Sequence, residues 1–177
     1  MTNFFTADLH WYHSNIIKYC NRPFQTIEEM HEKMIYNWNQ VVKNGDIVYH
    51  LGDWGFIKSA EAFDAPKDCV ISVESRLNGK IILFRGNHDK NNHVKTIITS
   101  MVVIQGGQRL WLTHDPKDAN PNYYINLVGH VHKKWTYNKL SKNSYMINVG
   151  VDVWDYRPIT INQILNGFNS WRKENNV

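Results

Sequence analysis

The sequence predicts a sheet-rich α/β fold, built of stacked sheets with helices outside. Three observations lead there. Short β-like runs alternate with helix-like ones in the first half of the chain. In the second half the β-like runs follow one another closely. Five of these runs end in Asp, His or Asn, which is where open α/β sheets bind ligands. Pattern alone leaves the number of layers open.

The elements follow in order. "NFFTADL" opens the chain as a strand. Residues 26–42 read as a helix, with Thr26 and Glu29 in capping-box spacing. Ile27, Met30, Met34, Trp38 and Val41 then fall on one stripe. "DIVYHLGD" (46–53) is a second strand, residues 58–77 form a weakly patterned helix, and "KIILFRG" (80–86) is a third strand. "MVVIQ" and "RLWLTH" flank "GGQ" as a hairpin. "YINLVGH" and "YMINVGV" give two more strands. Thr160 and Gln163 make a second capping box, and Ile161, Ile164, Leu165, Phe168 and Trp171 face one side of the last helix.

The 177 residues suffice for a single domain, 1–177, with a full core, and 42% hydrophobic with 20% charged residues is ordinary for a globular protein. A net charge of +4 suits an anionic substrate. The densest basic pairs, at 133–134 and 172–173, make no nucleic-acid arm. No apolar run approaches the ~18–20 residues that span a bilayer. The N-terminus has no secretory pattern, so the expected location is cytoplasmic. Cys20 and Cys69 belong to no CxxC and are expected to be half-buried bystanders in a reducing compartment.

The strand ends carry the chemistry. They are Asp8-Leu9-His10, Gly52-Asp53, Gly86-Asn87-His88-Asp89, His114, and Gly129-His130-Val131-His132. Oxygen and imidazole donors without thiolate suit Mn, Fe, Zn, Co or Ni. Residues i and i+2 of a strand share a face, so each Asp-x-His or His-x-His pair can reach one ion. Taken singly, each is explained by a turn or a surface coincidence; five together in this order are not. Two ions would need a bridging carboxylate, and Asp53 is the natural one.

"ADLH", "LGDW", "RGNHD", "LTHD" and "GHVH" resemble the five signature blocks of the calcineurin-like metallophosphoesterases. The resemblance runs from about residue 4 to about 157. "DLHWYHSNIIKYCNRPF", beginning at Asp8, and "NVGVDVWDYRP" look closer to a branch of small bacterial and phage phosphoesterases.

The resemblance implies a four-layer α/β/β/α sandwich with two divalent transition-metal ions, manganese favoured. Asp8, His10 and His132 would hold the first ion, Asn87, His114 and His130 the second, and Asp53 would bridge them. The implied reaction is in-line attack on phosphorus by a hydroxide bridging the ions, with His88 as the general acid. Asp89 is expected to be structural. Protein phosphatases of the superfamily continue the second block as Gly-Asp-x-x-Asp-Arg-Gly, with the second Asp partnering the catalytic histidine. Here Phe56 stands in its place, which argues against a protein phosphatase and leaves the partner of His88 open.

Substrate contacts are expected from His13, Asn15 and Arg22. Arg22 reads equally as a phosphate fork or as a salt bridge ahead of Pro23. Trp11, Tyr12 and Trp54 read as core more readily than as a stacking platform. His31 and His93 read as surface or loop residues, His50 as a hydrogen-bonded core histidine, and Arg85 as structural. Asp152, Asp155 and Arg157 read as braces or as turn residues. The expected activity is phosphodiester hydrolysis on a small nucleotide or similar ester; a nuclease or phosphomonoesterase of the same mechanism is the alternative, with nucleic acid then a partner. A non-catalytic scaffold is the rival, and it is disfavoured because all seven ligand positions and His88 are filled by competent residues.

Overall fold

The computed structural model describes residues 1–56, 73–89, 94 and 96–176. The helix expected over 58–77 falls mostly outside these residues, as do Cys69 and His93; its end is helical at 73–75.

Two sheets stack face to face. The first holds β1 (Asn3–Thr6), β2 (Ile47–His50), β3 (Lys80–Leu83) and the short β9 (Ile159–Thr160), in the order β3-β2-β1-β9. β1, β2 and β3 are parallel, and Thr6, His50 and Leu83 lie level in the register. The chain therefore leaves all three strands at one rim. The second sheet holds β4 (Ser100–Gln105), β5 (Gln108–Thr113), β6 (Ile125–Val128), β7 (Tyr137–Ser141) and β8 (Ser144–Asn148), in the order β4-β5-β6-β8-β7. β5, β6 and β8 are parallel, so their carboxyl ends also share a rim. A parallel bridge between Ala7 and Gly150 ties the two rims together.

The core between the sheets takes Phe5, Tyr49, Leu51 and Phe84 from one side and Leu110, Leu112, Leu127 and Ile147 from the other. A second core lies on the outer face of the first sheet. There Phe4 and Val48 meet α1 (Asn15–Tyr19) through Ile16 and α2 (Ile27–Val41) through Met30, Met34 and Trp38. Burial on both faces explains why β1 and β2 read as continuous apolar runs. The Thr26 hydroxyl accepts from the Glu29 amide, but the Glu29 carboxylate turns to the Gln25 N–H, so only half of the capping box forms. The last helix, α3 (Ile161–Asn175), has the full Thr160–Gln163 box and presses Ile161, Ile164 and Phe168 into the core between the sheets.

The α/β sandwich expected from the sequence is therefore present. The β7–β8 hairpin was not legible, because β7 is a sheet-edge strand with Asn138 and Lys139 exposed and no buried alternation. No helix among the described residues is long and apolar enough to cross a membrane.

Candidate metal centre

The aligned strand ends deliver their polar residues to one place. β1 runs into Asp8 and His10, β2 into Asp53, β3 into Asn87 and His88, β5 into His114, and β6 into His130 and His132. The ligand atoms of Asp8, His10 and His132 all lie within 4.8 Å of one another, and so do those of Asp53, His114 and His130. Asn87 joins the second group: its Oδ1 is 2.9 Å from His114 Nε2 and 3.0 Å from His130 Nδ1. Asp53 stands between the groups. Its Oδ2 is 3.6 Å from His10 Nε2, 3.4 Å from His114 Nε2 and 4.0 Å from His88 Nε2.

The backbone is bent to make this arrangement. Asp8, His10, Asp53, His130 and His132 all have left-handed backbone, with φ between 49° and 72°. Asp and His tolerate that region better than most residues, so the ligand types are also types the turns can hold. Gly86 is needed for a different reason: a Cβ there would collide with the Asp53 amide and carboxylate. Asp89 holds the two exits together. Its buried carboxylate accepts from the amides of Gly86 (2.7 Å), Asp53 (2.9 Å) and Trp54 (2.9 Å), which agrees with the structural role expected of it.

The imidazoles are pre-oriented. His114 Nδ1 lies 2.7 Å from the Leu51 carbonyl, which can only accept, so Nδ1 carries a proton and Nε2 points into the site. His132 Nδ1 lies 2.8 Å from Asp152 Oδ2, which turns its Nε2 toward Asp8 and His10. His10 is 1% exposed, and neither of its ring nitrogens has a hydrogen-bond partner among the described residues. A buried imidazole without partners is costly unless a ligand completes it.

The electrostatics point the same way. Burial pushes the Asp8 carboxyl up to about 6. Burial also pulls on His114, but the bond to Asp53 and the Asp8 charge outweigh it and raise the group to about 9. His132 rises to about 10: burial is overcome by its bonds to Asp152 and Cys20 and by Asp8. Asp53 stays well below the usual carboxylate range, because its histidine neighbours outweigh its burial. The cluster draws positive charge to the Nε2 atoms of His114 and His132. A mixed set of carboxylate, amide and imidazole donors with that preference fits divalent transition-metal ions.

Arg22 corrects one expectation. It is 3% exposed and makes a buried pair with Asp152, with Nε and Nη2 at 2.9 and 3.0 Å. Nη2 and Nη1 also donate to the carbonyls of Asp8 (2.7 Å) and Leu9 (3.0 Å), and Nη1 lies 3.4 Å from Met30 Sδ. Its donors are consumed, so it braces the first block instead of forking a phosphate. Asp152, which read equally as turn or brace, is the brace: it grips Arg22 and His132 together. Cys20 is half-buried, as expected, and lies with His132 and Asp152 in a group whose ligand atoms are within 4.8 Å of one another.

Of the other softer expectations, Asn15 is exposed at the start of α1. His13 does reach the cluster: it stacks on Phe56 at 3.9 Å between ring centroids and lies 5.4 Å from His10 and 6.4 Å from His88. Phe56 is itself 5.3 Å from His88, so the position that reads Phe in place of a carboxylate does lie beside that histidine. Trp11 and Trp54 are core, each 1% exposed. Arg85 donates to the Thr96 carbonyl, as a structural residue would. His50 is buried, but neither ring nitrogen finds a hydrogen bond among the described residues; it packs edge-on to Trp54. His31 is not a surface residue: it is 8% exposed, and its Nε2 accepts from the Tyr12 amide.

The model of the calcineurin-like phosphoesterase family matches residues 1–172. The uncharacterized protein MJ1445 of Methanocaldococcus jannaschii is 36% identical over 166 residues, which span 90% of this chain and 86% of that protein. Among solved structures, the chain is similar to AQ665 of Aquifex aeolicus, a protein of unknown function. That similarity has a TM-score of 0.68 at 25% identity and covers 93% of this chain and 97% of the other.

Proposed function

The chain belongs to the calcineurin-like phosphoesterases, and from that premise we propose that it is a dinuclear-metal phosphodiesterase. The observation that carries this is the position of Asp53: one carboxylate oxygen, Oδ2, faces His10 of one ligand group and His114 of the other. Asp8, His10 and His132 would hold one ion, Asn87, His114 and His130 the other, with Asp53 shared. Bound there, divalent ions supply a hydrolytic nucleophile near neutral pH and neutralise charge on the phosphoryl group. The mixed carboxylate, amide and imidazole donor set is compatible with manganese, and with iron, zinc, nickel or cobalt.

The protein's own residues do the rest. Asp152 and the Leu51 carbonyl engage Nδ1 of the two imidazoles, so Nε2 is the nitrogen left to face an ion. The His88 amide is tied to Asp53 Oδ1 at 3.0 Å, while its ring is 46% exposed beside the cluster. It can therefore give a proton to the departing ester oxygen without being a ligand itself. His13 and Phe56 lie beside it, 6.4 and 5.3 Å away between ring centroids. A small nucleotide or similar ester fits the open rim formed by Asn87 and His88.

The test is a hydrolysis screen on metal-stripped protein resupplied with Mn, Ni, Co, Zn or Mg. Bis-p-nitrophenyl phosphate, p-nitrophenyl phosphate, cyclic mononucleotides and single-stranded oligonucleotides serve as substrates. Diester turnover that returns with metal, disappears in Asp53→Asn and falls about 10²–10⁴-fold in His88→Ala is the expected result. Absence of stoichiometric metal would sink the site assignment. Preference for the monoester or the oligonucleotide would redirect the substrate class.

A further inference from the structure

The segment from Asp8 to Tyr12 alternates in and out of left-handed backbone, with φ of 60° at Asp8, 55° at His10 and 62° at Tyr12. Each such residue costs about 1–2 kcal/mol unless its surroundings impose the conformation. For most of the segment the imposing partner is the exit of β2. The amides of Asp8, His10 and Trp11 donate to the carbonyls of Gly52 (3.0 Å), Asp53 (3.1 Å) and Trp54 (3.0 Å). That ladder stops at Trp11.

The next amide, Tyr12 N–H, crosses to a side chain on α2: His31 Nε2, at 3.0 Å. His31 is set between two rings, edge-on to Trp11 at 5.3 Å and to Tyr12 at 4.7 Å. To accept from an amide it must be neutral, with its proton on Nδ1. Just after this bond the chain folds back, and the His13 amide donates to the His10 carbonyl at 3.2 Å. The bond is part-buried, and losing it would remove this amide's acceptor on α2, and with it the tie from that helix to the last left-handed residue of the turn.

We propose that His31 is a positioning residue for the metal centre: by accepting the Tyr12 amide it holds the turn that aims His10 into the site and seats His13 beside His88. It touches neither an ion nor a substrate. The inference rests on the reading of His10 as a metal ligand. A packing role alone, filling the space between Trp11 and Tyr12, makes a different prediction, because a phenyl ring would then serve as well.

Two substitutions separate these. His31→Phe keeps a ring and loses the acceptor; His31→Gln loses the ring and keeps an acceptor. Both are compared with wild type by manganese titration calorimetry, by kcat and KM on bis-p-nitrophenyl phosphate, and by thermal unfolding. The expected result is that His31→Phe loses about tenfold or more in metal affinity. Its kcat should fall more than its KM rises, and His31→Gln should recover most of the loss. A His31→Phe protein that binds manganese and turns over like wild type overturns the proposal. So does equal impairment of the two variants at unchanged melting temperature.

Hydrogen exchange at the Tyr12 amide of the wild-type protein gives a reading that needs no variant to fold. Slow exchange is expected, and exchange at the rate of an open amide overturns the bond. His10→Ala is the control for the underlying site. If it binds manganese normally, the metal-centre reading fails; if it loses metal while His31→Phe does not, only the positioning role fails.

Discussion

The two ligand groups are built differently. Asp8 and His10 are enclosed, and His132 is backed by the fully buried Arg22–Asp152 pair. In the other group only His114 is buried and braced, by one backbone carbonyl; Asn87 lies in the open beside His88. The first group is thus part of the fold, because its bracing charges are buried and cannot be removed singly without cost. The second forms the accessible rim, with Asn87 and His88 exposed. Stability and metal affinity should be coupled in the first and separable in the second.

The strongest way to break this contrast is Asp152→Ala. It strands the buried Arg22 guanidinium and frees His132, so a loss of about 3–5 kcal/mol in urea unfolding is expected. A fall of about 10–100-fold in affinity for one ion should accompany it. A variant of wild-type stability would show that the bracing is dispensable. Asn87→Ala is the counterpart on the open side. Its metal affinity should fall by a similar factor, while stability changes by no more than about 0.5 kcal/mol.

Acid sharpens the comparison further. An ion needs the Nε2 atoms of His132 and His114 unprotonated, and these groups stand at about 10 and about 9 in the absence of metal. Protons therefore compete at neutral pH, and affinity should fall as pH falls, by up to about tenfold per unit for each proton displaced. Calorimetry in buffers of different ionisation enthalpy would count the protons released. Asp152→Asn, which removes the group that raises His132, should release fewer.

A further pH effect lies away from the ions. Burial lowers His31 to about 4, against opposing pulls from Glu28 and Glu32 and a reinforcing one from Arg76. The folded value is below the unfolded 6.5, so the unfolded chain binds more protons between them. Stability is complete above about 6.5 and declines as pH falls toward 4, at up to about 1.4 kcal/mol per unit. In His31→Gln that slope should flatten in chemical denaturation measured across this range.

The candidate ligands could be picked out because metal chemistry limits residue types, although Asp8, His10, His130 and His132 lie past the strand ends in left-handed backbone and not on a strand face. The bracing was not legible. Arg22 and Asp152 are 130 positions apart, and neither carries a local sign that the other will meet it. His31 sits beside the apolar stripe of α2 and looks like a surface residue until the helix is laid against the Trp11–Tyr12 turn. His50 invites a hydrogen bond by its chemistry, yet its environment is aromatic.

By itself, then, the sequence determined the alternation of elements, the half-buried stripe of α2, the capping of α3 and the chemical types of the candidate ligands. These depend on periodicity, local hydrogen bonding and side-chain type, all of which are short-range. Only the tertiary structure decided which histidine nitrogens face inward and which charges are used up in bracing. Those depend on strands ending level, on a sheet-to-sheet bridge at Ala7 and Gly150, and on left-handed turns imposed by neighbours distant in the chain.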